Sequence, residues 1–299
     1  MKKIVALAGA AVLAAGLLTG CGSGDAVSAS GSGEGKNSTE AGGQETGKSQ
    51  ESSATDSGEN GTGTTFTVGF DAEFPPYGYR DESGEYVGFD LDLAAEVCAR
   101  NGWELVKQPI DWDSKDMELS SGAIDCIWNG FTMNGREDQY TFTEPYVDNS
   151  QVFVVAGDSG IVKKEDLAGK VVAVQKDSSA LAALNDEETP ENIALRDSFS
   201  QLIEYADYNT AFMDLEQGAV DAVAMDVGVA QYQIEGREDG TFVMLEEKLA
   251  KEQYGVGFFL GNEALRDTVQ TTLDEMASDG TFESIARKWG LEESVCLGK

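Results

Sequence analysis

Leu119-Ser-Ser-Gly-Ala-Ile-Asp125-Cys-Ile-Trp-Asn-Gly130 is echoed 96 residues later by Leu215-Glu-Gln-Gly-Ala-Val-Asp221-Ala-Val-Ala-Met-Asp226. Each copy reads as a helix end, a Gly just past the last turn, and a short apolar strand that stops at polar residues. A single α/β domain has no need of two such units; two similar lobes do. Open α/β sheets bind ligands beyond the carboxyl ends of their strands. The residues closing each copy, Asn129-Gly130 and Asp226, are therefore expected at a shared cleft.

Working outward from the echo, strand and helix patterns alternate from Phe66 to about Gly261. Strands are predicted at 66–70, 103–107, 124–128, 151–156, 171–174, 201–205, 220–225 and 255–260. Helices are predicted from Phe89-Asp90 (with Asp90 as N-cap), over 114–121, from Ser178, over 209–217, after Asp226, and over 263–277 and 281–289. This order gives α/β lobes with two mainly parallel sheets. The extended stretches 149–154 and 251–256 lie where the chain leaves one lobe and returns to it, so lobe 1 is predicted as 66–150 plus 252–299 and lobe 2 as 151–251. Two crossing strands make a hinge.

Ahead of this, Lys2-Lys3 precede an apolar run from Ile4 to Leu18, then Leu18-Thr-Gly-Cys21. A basic start, a run too short to cross a bilayer and small residues before Cys21 describe an export signal over 1–21. Leu-Thr-Gly-Cys is similar to the lipobox of bacterial lipoproteins, which implies that Cys21 is acylated and anchors the exported chain on the outer face of the cell membrane. Residues 22–63 hold 24 Gly, Ser or Thr among 42, too few apolar groups to offset ordering, so 22–65 is expected to be a disordered tether. Its expected span is ~36 Å.

The chain carries 21 Lys+Arg against 54 Asp+Glu, a net charge of −33. That argues against nucleic-acid binding, which rests on basic contacts to phosphates. It contains no His, which excludes Ser-His and Cys-His nucleophile pairs and His-based metal sites. No cofactor or metal is expected. Beyond Cys21 the cysteines are Cys98, Cys126 and Cys296. Cys98 and Cys126 fall on a helix and the strand it covers, where they either pair or remain buried thiols.

Gly130-Phe-Thr132-Met-Asn-Gly-Arg136 ends the first echoed strand. Gly130 allows close backbone approach, Thr132 offers a hydroxyl, and Arg136 offers a bidentate fork for a carboxylate. Asp226 ends the other copy and suits an ammonium. Together Arg136 and Asp226 describe a zwitterion.

Val68-Gly-Phe-Asp71-Ala-Glu-Phe74-Pro-Pro-Tyr77, Gly88-Phe-Asp-Leu-Asp-Leu93, Ala123-Ile-Asp125, Gly130-x-Thr132, Arg136 and the final Gly280-Thr-Phe-x-x-Ile285-x-x-Lys-Trp289 together resemble the family 3 extracellular solute-binding proteins, over essentially all of 66–290. The resemblance implies a two-lobed, type II periplasmic-binding-protein-like fold. It also implies a free amino acid as ligand and an ABC transporter permease as partner, with a monomeric binding protein. By it, Asp71 and Phe74 line the side-chain pocket and Trp112 covers the ligand. Asn129, Gly130, Thr132 and Arg136 serve the α-amino and α-carboxylate groups from lobe 1. Ser178 and Ser179 offer a helix N-terminus to the carboxylate, and Asp226 holds the ammonium. One departure is the spacing from Thr132 to Arg136, one residue shorter than is usual in the family. A second is Gln175-Lys-Asp-Ser-Ser, where many relatives carry a Gly-rich turn.

Asp71 and Glu73 beside two aromatics favour a cationic or amide side chain: arginine, lysine or ornithine first, then glutamine, with cystine also open. Two other classes compete with transport. A ligand sensor would act on a separate receptor. An enzyme like the exported cyclohexadienyl dehydratases would need an acid such as Glu73 and a second cation for a second carboxylate, and no Arg or Lys other than Arg136 is evident near the cleft motifs.

Overall fold

Phe66, Val68 and Phe70 alternate along Thr65–Phe70 (β1), and all three are buried in the main core against Leu93 and Val97 of the first helix. Each such side chain contributes roughly 1.5–3 kcal/mol when removed from water. The computed structural model describes residues 64–299. The signal segment, Cys21 and the tether up to residue 63 lie outside the described residues.

After β1 come three short strands, β2 (Glu73–Phe74), β3 (Gly78–Arg80) and β4 (Tyr86–Val87), which form a small antiparallel sheet of their own. Helix α1 (Phe89–Asn101) follows, ending at Gly102 with φ 67°. Its N-cap is Gly88, not Asp90 as expected. Asp90 lies inside the first turn, fully buried, and its Oδ2 accepts from the Gly130 N–H at 2.6 Å and the Tyr146 hydroxyl at 2.9 Å. Tertiary partners thus took the carboxylate that a local rule assigned to the cap.

Then follow β5 (Glu104–Pro109), a 3-10 turn (Trp112–Ser114), α2 (Lys115–Ser121), β6 (Cys126–Ile127) and β7 (Tyr140–Phe142). The long strand β8 (Val147–Ala156) leads to β9 (Val171–Gln175), α3 (Ser179–Leu184), α4 (Pro190–Ser198) and β10 (Gln201–Tyr205). Helix α5 (Tyr208–Glu216), β11 (Ala222–Asp226), α6 (Val227–Glu235) and β12 (Phe242–Met244) come next. The chain closes with β13 (Ala250–Tyr254), β14 (Gly257–Phe259), α7 (Glu263–Asp279) and α8 (Thr281–Lys288).

Two sheets carry the two lobes. The first runs β5-β1-β6-β14-β7; the second runs β10-β9-β11-β8-β12, with β13 also on β8. The parallel arrangement expected from the alternation holds within β5-β1-β6 and β10-β9-β11. The remaining strands pair antiparallel, because the chain crosses between the sheets there instead of passing through a covering helix.

The echoed motif has the same physical job in each sheet. Asp125 Oδ2 accepts the Thr67 N–H at 2.7 Å while its own N–H donates to the Thr67 carbonyl at 2.8 Å. Asp221 repeats both bonds with Val171, each at 2.8 Å. Each aspartate fastens the start of its strand to the start of the neighbouring parallel strand. Gly122 and Gly218 supply the positive φ, 75° and 70°, that turns helix into strand.

Cys98, Cys126 and Cys296 are free, and burial pushes the Cys98 thiol up to about 11. Among the described residues no helix is long and apolar enough to cross a membrane.

Candidate functional site

The two echoed strands end facing one another. A central cavity is lined by Phe74, Trp112, Gly130, Thr132 and Arg136 from the first lobe and by Gln175, Ser178, Ser179 and Asp226 from the second. Eight of the ten residues expected from sequence meet there. The lobes are closed on it, leaving about 10 Å³, roughly the room of one water centre. Larger cavities open on either side, about 670 Å³ beside Arg136, Ser179 and Glu252 and about 630 Å³ beside Asp71, Trp112 and Asp207.

Asp71 and Asn129 stand behind this lining. Asn129 Oδ1 accepts the Asp71 N–H at 3.0 Å, so Asn129 holds the strand end in place rather than facing the cavity. Asp71 is buried, and that burial raises its carboxyl to about 6. Its Oδ2 accepts from Gln175 Nε2 at 2.7 Å and its Oδ1 from the Glu73 N–H at 2.8 Å.

Gly130 has φ 57°, and a Cβ there would lie 2.9 Å from Phe74 Cε1 and 3.0 Å from Tyr254 Cε2. Only glycine fits, for both backbone and space. Its N–H is engaged by Asp90, which leaves its carbonyl for a ligand. The shortened turn to Arg136 returns the guanidinium onto its own segment: Nη1 donates to the Thr132 carbonyl at 3.1 Å and the group lies 5.1 Å from the Phe131 ring centroid. Arg136 makes no ion pair among the described residues.

Ser178 caps α3, its Oγ accepting from the Leu181 N–H at 3.2 Å. Just before it, Asp177 adopts φ 55°, a conformation few non-glycine residues take but Asp tolerates. The turn that is glycine-rich in many relatives is thus kept with a carboxylate in place of a hydrogen, and that carboxylate pairs with Lys115 across the cleft.

Asp226 ends β11 with no cation beside it. Its Oδ1 accepts from Asn149 Nδ2 at 2.8 Å, Gln151 Nε2 at 2.7 Å and the Tyr254 hydroxyl at 2.6 Å. Burial, with the Glu252 charge adding to it, raises its carboxyl to about 7. Asp71 and Asp226 are each partly pre-satisfied by amides or hydroxyls, which keeps them oriented without pairing them to a cation.

Sequence reasoning missed Gln175, Glu252, Asn149, Gln151 and Tyr254. A signal existed for some of them, since Asn149, Ser150 and Gln151 interrupt an otherwise apolar strand. It also missed two cations. Lys115 is buried 5.2 Å from the Trp112 ring centroid, and Lys176 meets Asp113 at 2.5 Å across the cleft. The expectation of no lysine beside the cleft is therefore corrected: the fold brings two there, each matched by an aspartate of the opposite lobe.

Among proteins of similar sequence, the L-cystine-binding protein TcyJ of Escherichia coli is 29% identical over 228 residues, covering 75% of this chain and 82% of the relative. The arginine-binding extracellular protein ArtP of Bacillus subtilis is 26% identical over 230 residues, covering 74% and 84%. Among solved structures, an ABC uptake transporter substrate binding protein from Streptococcus pneumoniae with bound histidine is 32% identical, with a TM-score of 0.73 over 77% of this chain and 94% of that one. An ancestral arginine-binding protein bound to arginine is 33% identical, with a TM-score of 0.68 over 75% and 97%. Residues 66–292 match the family model throughout, and the chain belongs to the bacterial extracellular solute-binding proteins, family 3.

Proposed function

We propose that this chain binds a free basic or polar amino acid between its lobes and delivers it to an ABC importer, as a binding module without chemistry of its own. The observation that carries this reading is the pairing across one closed cavity of an unpaired guanidinium, Arg136, with an unpaired buried carboxylate, Asp226. Their signs match an α-carboxylate and an α-ammonium. Gly130, Thr132, Ser178 and Ser179 add acceptors and donors at the same head group, while Phe74 and Trp112 enclose the side chain. Asp71 and Glu73 favour a cationic or amide end.

The lobes are taken as 66–150 with 252–299 and as 151–251, with β8 and β13 as the hinge. Cys21 serves as an acylated anchor, holding a monomer on the outer face of the membrane by a tether over 22–63, two residues shorter than expected because β1 begins at Thr65. The relatives named for arginine, histidine and cystine support an amino acid as the ligand class.

The dehydratase-like alternative needs a free second cation in the cleft, and both candidate lysines are already matched by Asp177 and Asp113. Thermal unfolding of the purified protein with each common amino acid, ornithine, cystine and arogenate tests the reading. A ligand at 100 times its Kd adds ~2.7 kcal/mol. A shift with arginine, lysine, ornithine, glutamine or cystine supports it; a shift with arogenate alone, or with none, overturns it.

A further inference from the structure

The acid at the end of β11 has a second acid beside it. Glu252 lies on β13, 7% exposed, and its Oε1 accepts from Asn149 Nδ2 at 2.5 Å and from Gln151 Nε2 at 2.7 Å. The same two nitrogens donate to Asp226 Oδ1. Two amides thus hold two carboxyl oxygens side by side, each oxygen within hydrogen-bond reach of both nitrogens. Ser179 Oγ donates to Glu252 Oε1 at 3.3 Å, which places this acid at the edge of the cavity that Ser179 and Asp226 line.

The charged and titratable groups facing this pair come from every element around it. Tyr254 on β13 donates to Asp226. Tyr77, before β3, and Tyr208 on α5 are buried close by, each held as the neutral phenol by burial and by these two acids. The α6 N-terminus begins at Val227 and brings only its partial positive charge. Lys248, before β13, donates to Ser150 Oγ at 2.8 Å, and Lys251 on β13 is exposed. Arg136 shares the cavity but not an ion pair.

Among the described residues no full positive charge therefore compensates the two buried acids. The same amides also leave Asn149 Oδ1 and Gln151 Oε1 buried without a donor among the described residues. The cluster is short of both positive charge and hydrogen-bond donors, and a primary ammonium supplies both. Burial first, and then the Glu252 charge beside it, favour the protonated form of Asp226.

We propose that Glu252 is a ligand-binding residue that helps hold Asp226 in its protonated form in the ligand-free protein, and that the ligand's ammonium displaces this proton on binding. The ammonium keeps its three hydrogens, the proton leaves to the buffer, and no bond is made or broken in the ligand. Asn149, Gln151 and Glu252 lie on β8 and β13 and Asp226 on β11, all strands of the second sheet. Ligands lacking a primary ammonium fail at this site even when their carboxylate and side chain are correct.

This inference rests on the amino-acid reading, and calorimetry separates the two. The heat of binding of L-arginine, L-glutamine and L-cystine to the purified protein is measured at about pH 6 in buffers of different ionisation enthalpy, and again at about pH 8, where the free ligand is still largely an ammonium. For whichever binds, the expected result is release of about one proton at the lower pH and close to none at the higher. Glu252→Gln, which preserves the amide contacts in shape, is expected to bind at the lower pH with a clearly smaller release. A melting curve confirms that the variant is folded. Binding by the wild type with no proton release at about pH 6 overturns the proposal and leaves the amino-acid reading standing. So does full release from folded Glu252→Gln. Absence of binding by all three overturns both.

Discussion

Gln175 of the second lobe donates its Nε2 hydrogen to Asp71 of the first at 2.7 Å, so the carboxylate proposed to grip a ligand side chain is covered by the facing lobe. A cationic side chain reaching Asp71 has to displace this amide, whereas a neutral one can leave it in place. Gln175→Ala is therefore expected to raise the affinity for arginine relative to glutamine by several-fold. Titration calorimetry with both amino acids measures the ratio, and an unchanged ratio would show that the ligand side chain does not compete for Asp71.

Asp71 also makes stability depend on pH in a defined direction. Burial raises its carboxyl to about 6, above its value in the unfolded chain, so the folded protein holds this proton more tightly. Stability falls as pH rises from about 4 to 6, and the deficit is complete above that window. Asp71→Asn, which carries no charge, is expected to melt several degrees above the wild type at about pH 8, on the order of 2 kcal/mol, and to match it at about pH 4. Ligand-free melting curves at both values check this; equal melting at pH 8 would refute it.

Asp226→Ala is expected to remove binding, because a ligand ammonium would be buried without its counter-charge at a cost of several kcal/mol. The protein itself stays folded, since the substitution also removes an uncompensated buried acid. Micromolar affinity in the folded variant, read by calorimetry, would mean that the ammonium sits elsewhere.

Gly130→Ala combines a left-handed backbone at φ 57° with contacts of 2.9 and 3.0 Å to the rings of Phe74 and Tyr254. It is expected to cost about 2–4 kcal/mol in unfolding free energy and to weaken binding with it. Denaturant unfolding of the ligand-free variant gives the number, and a loss below about 0.5 kcal/mol would indicate that β6 and its loop move freely.

Among the contacts that cross the cleft around the cavity are those of Gln175 with Asp71, Asn209 with Glu73, Lys176 with Asp113 and Lys115 with Asp177. The exposed pair Lys176–Asp113 is screened by salt, whereas buried Lys115 is less so. Replacing Lys115 by Met and Lys176 by Ala together is expected to weaken ligand binding several-fold at low salt by favouring the open form. Small-angle scattering of the ligand-free variant should then report a larger radius of gyration than that of the wild type.

Much of this was legible because it is written in short-range code. Leu-x-x-Gly-Ala-x-Asp announces a helix stop, a turn and a strand anchored by its aspartate, and it does so in both lobes. Strands β2 to β4 were not legible, being two or three residues long with no period to detect. Helix α4 was missed although Thr189-Pro190 places a proline at its first turn, a start signal that went unread. Asp90 misled because a capping rule is local while its partners, Gly130 and Tyr146, lie 40 and 56 residues away. Glu252 carries no motif at all, and its meaning comes only from a register that sets it beside residues 26 to 103 positions earlier in the chain.

Strands β8 and β13 pair with one another from Val147–Tyr254 to Gln151–Ala250, and along that ladder lie Asn149, Gln151, Glu252 and Tyr254. On the proposed reading, the parts that bend are thus also the parts that meet the head group. That reading needs no relay to carry news of occupancy to the joint, because the joint would be where the ligand's charge is felt. A membrane partner that gauges only the angle between the lobes would thereby be gauging the electrostatic state of a few atoms at its vertex.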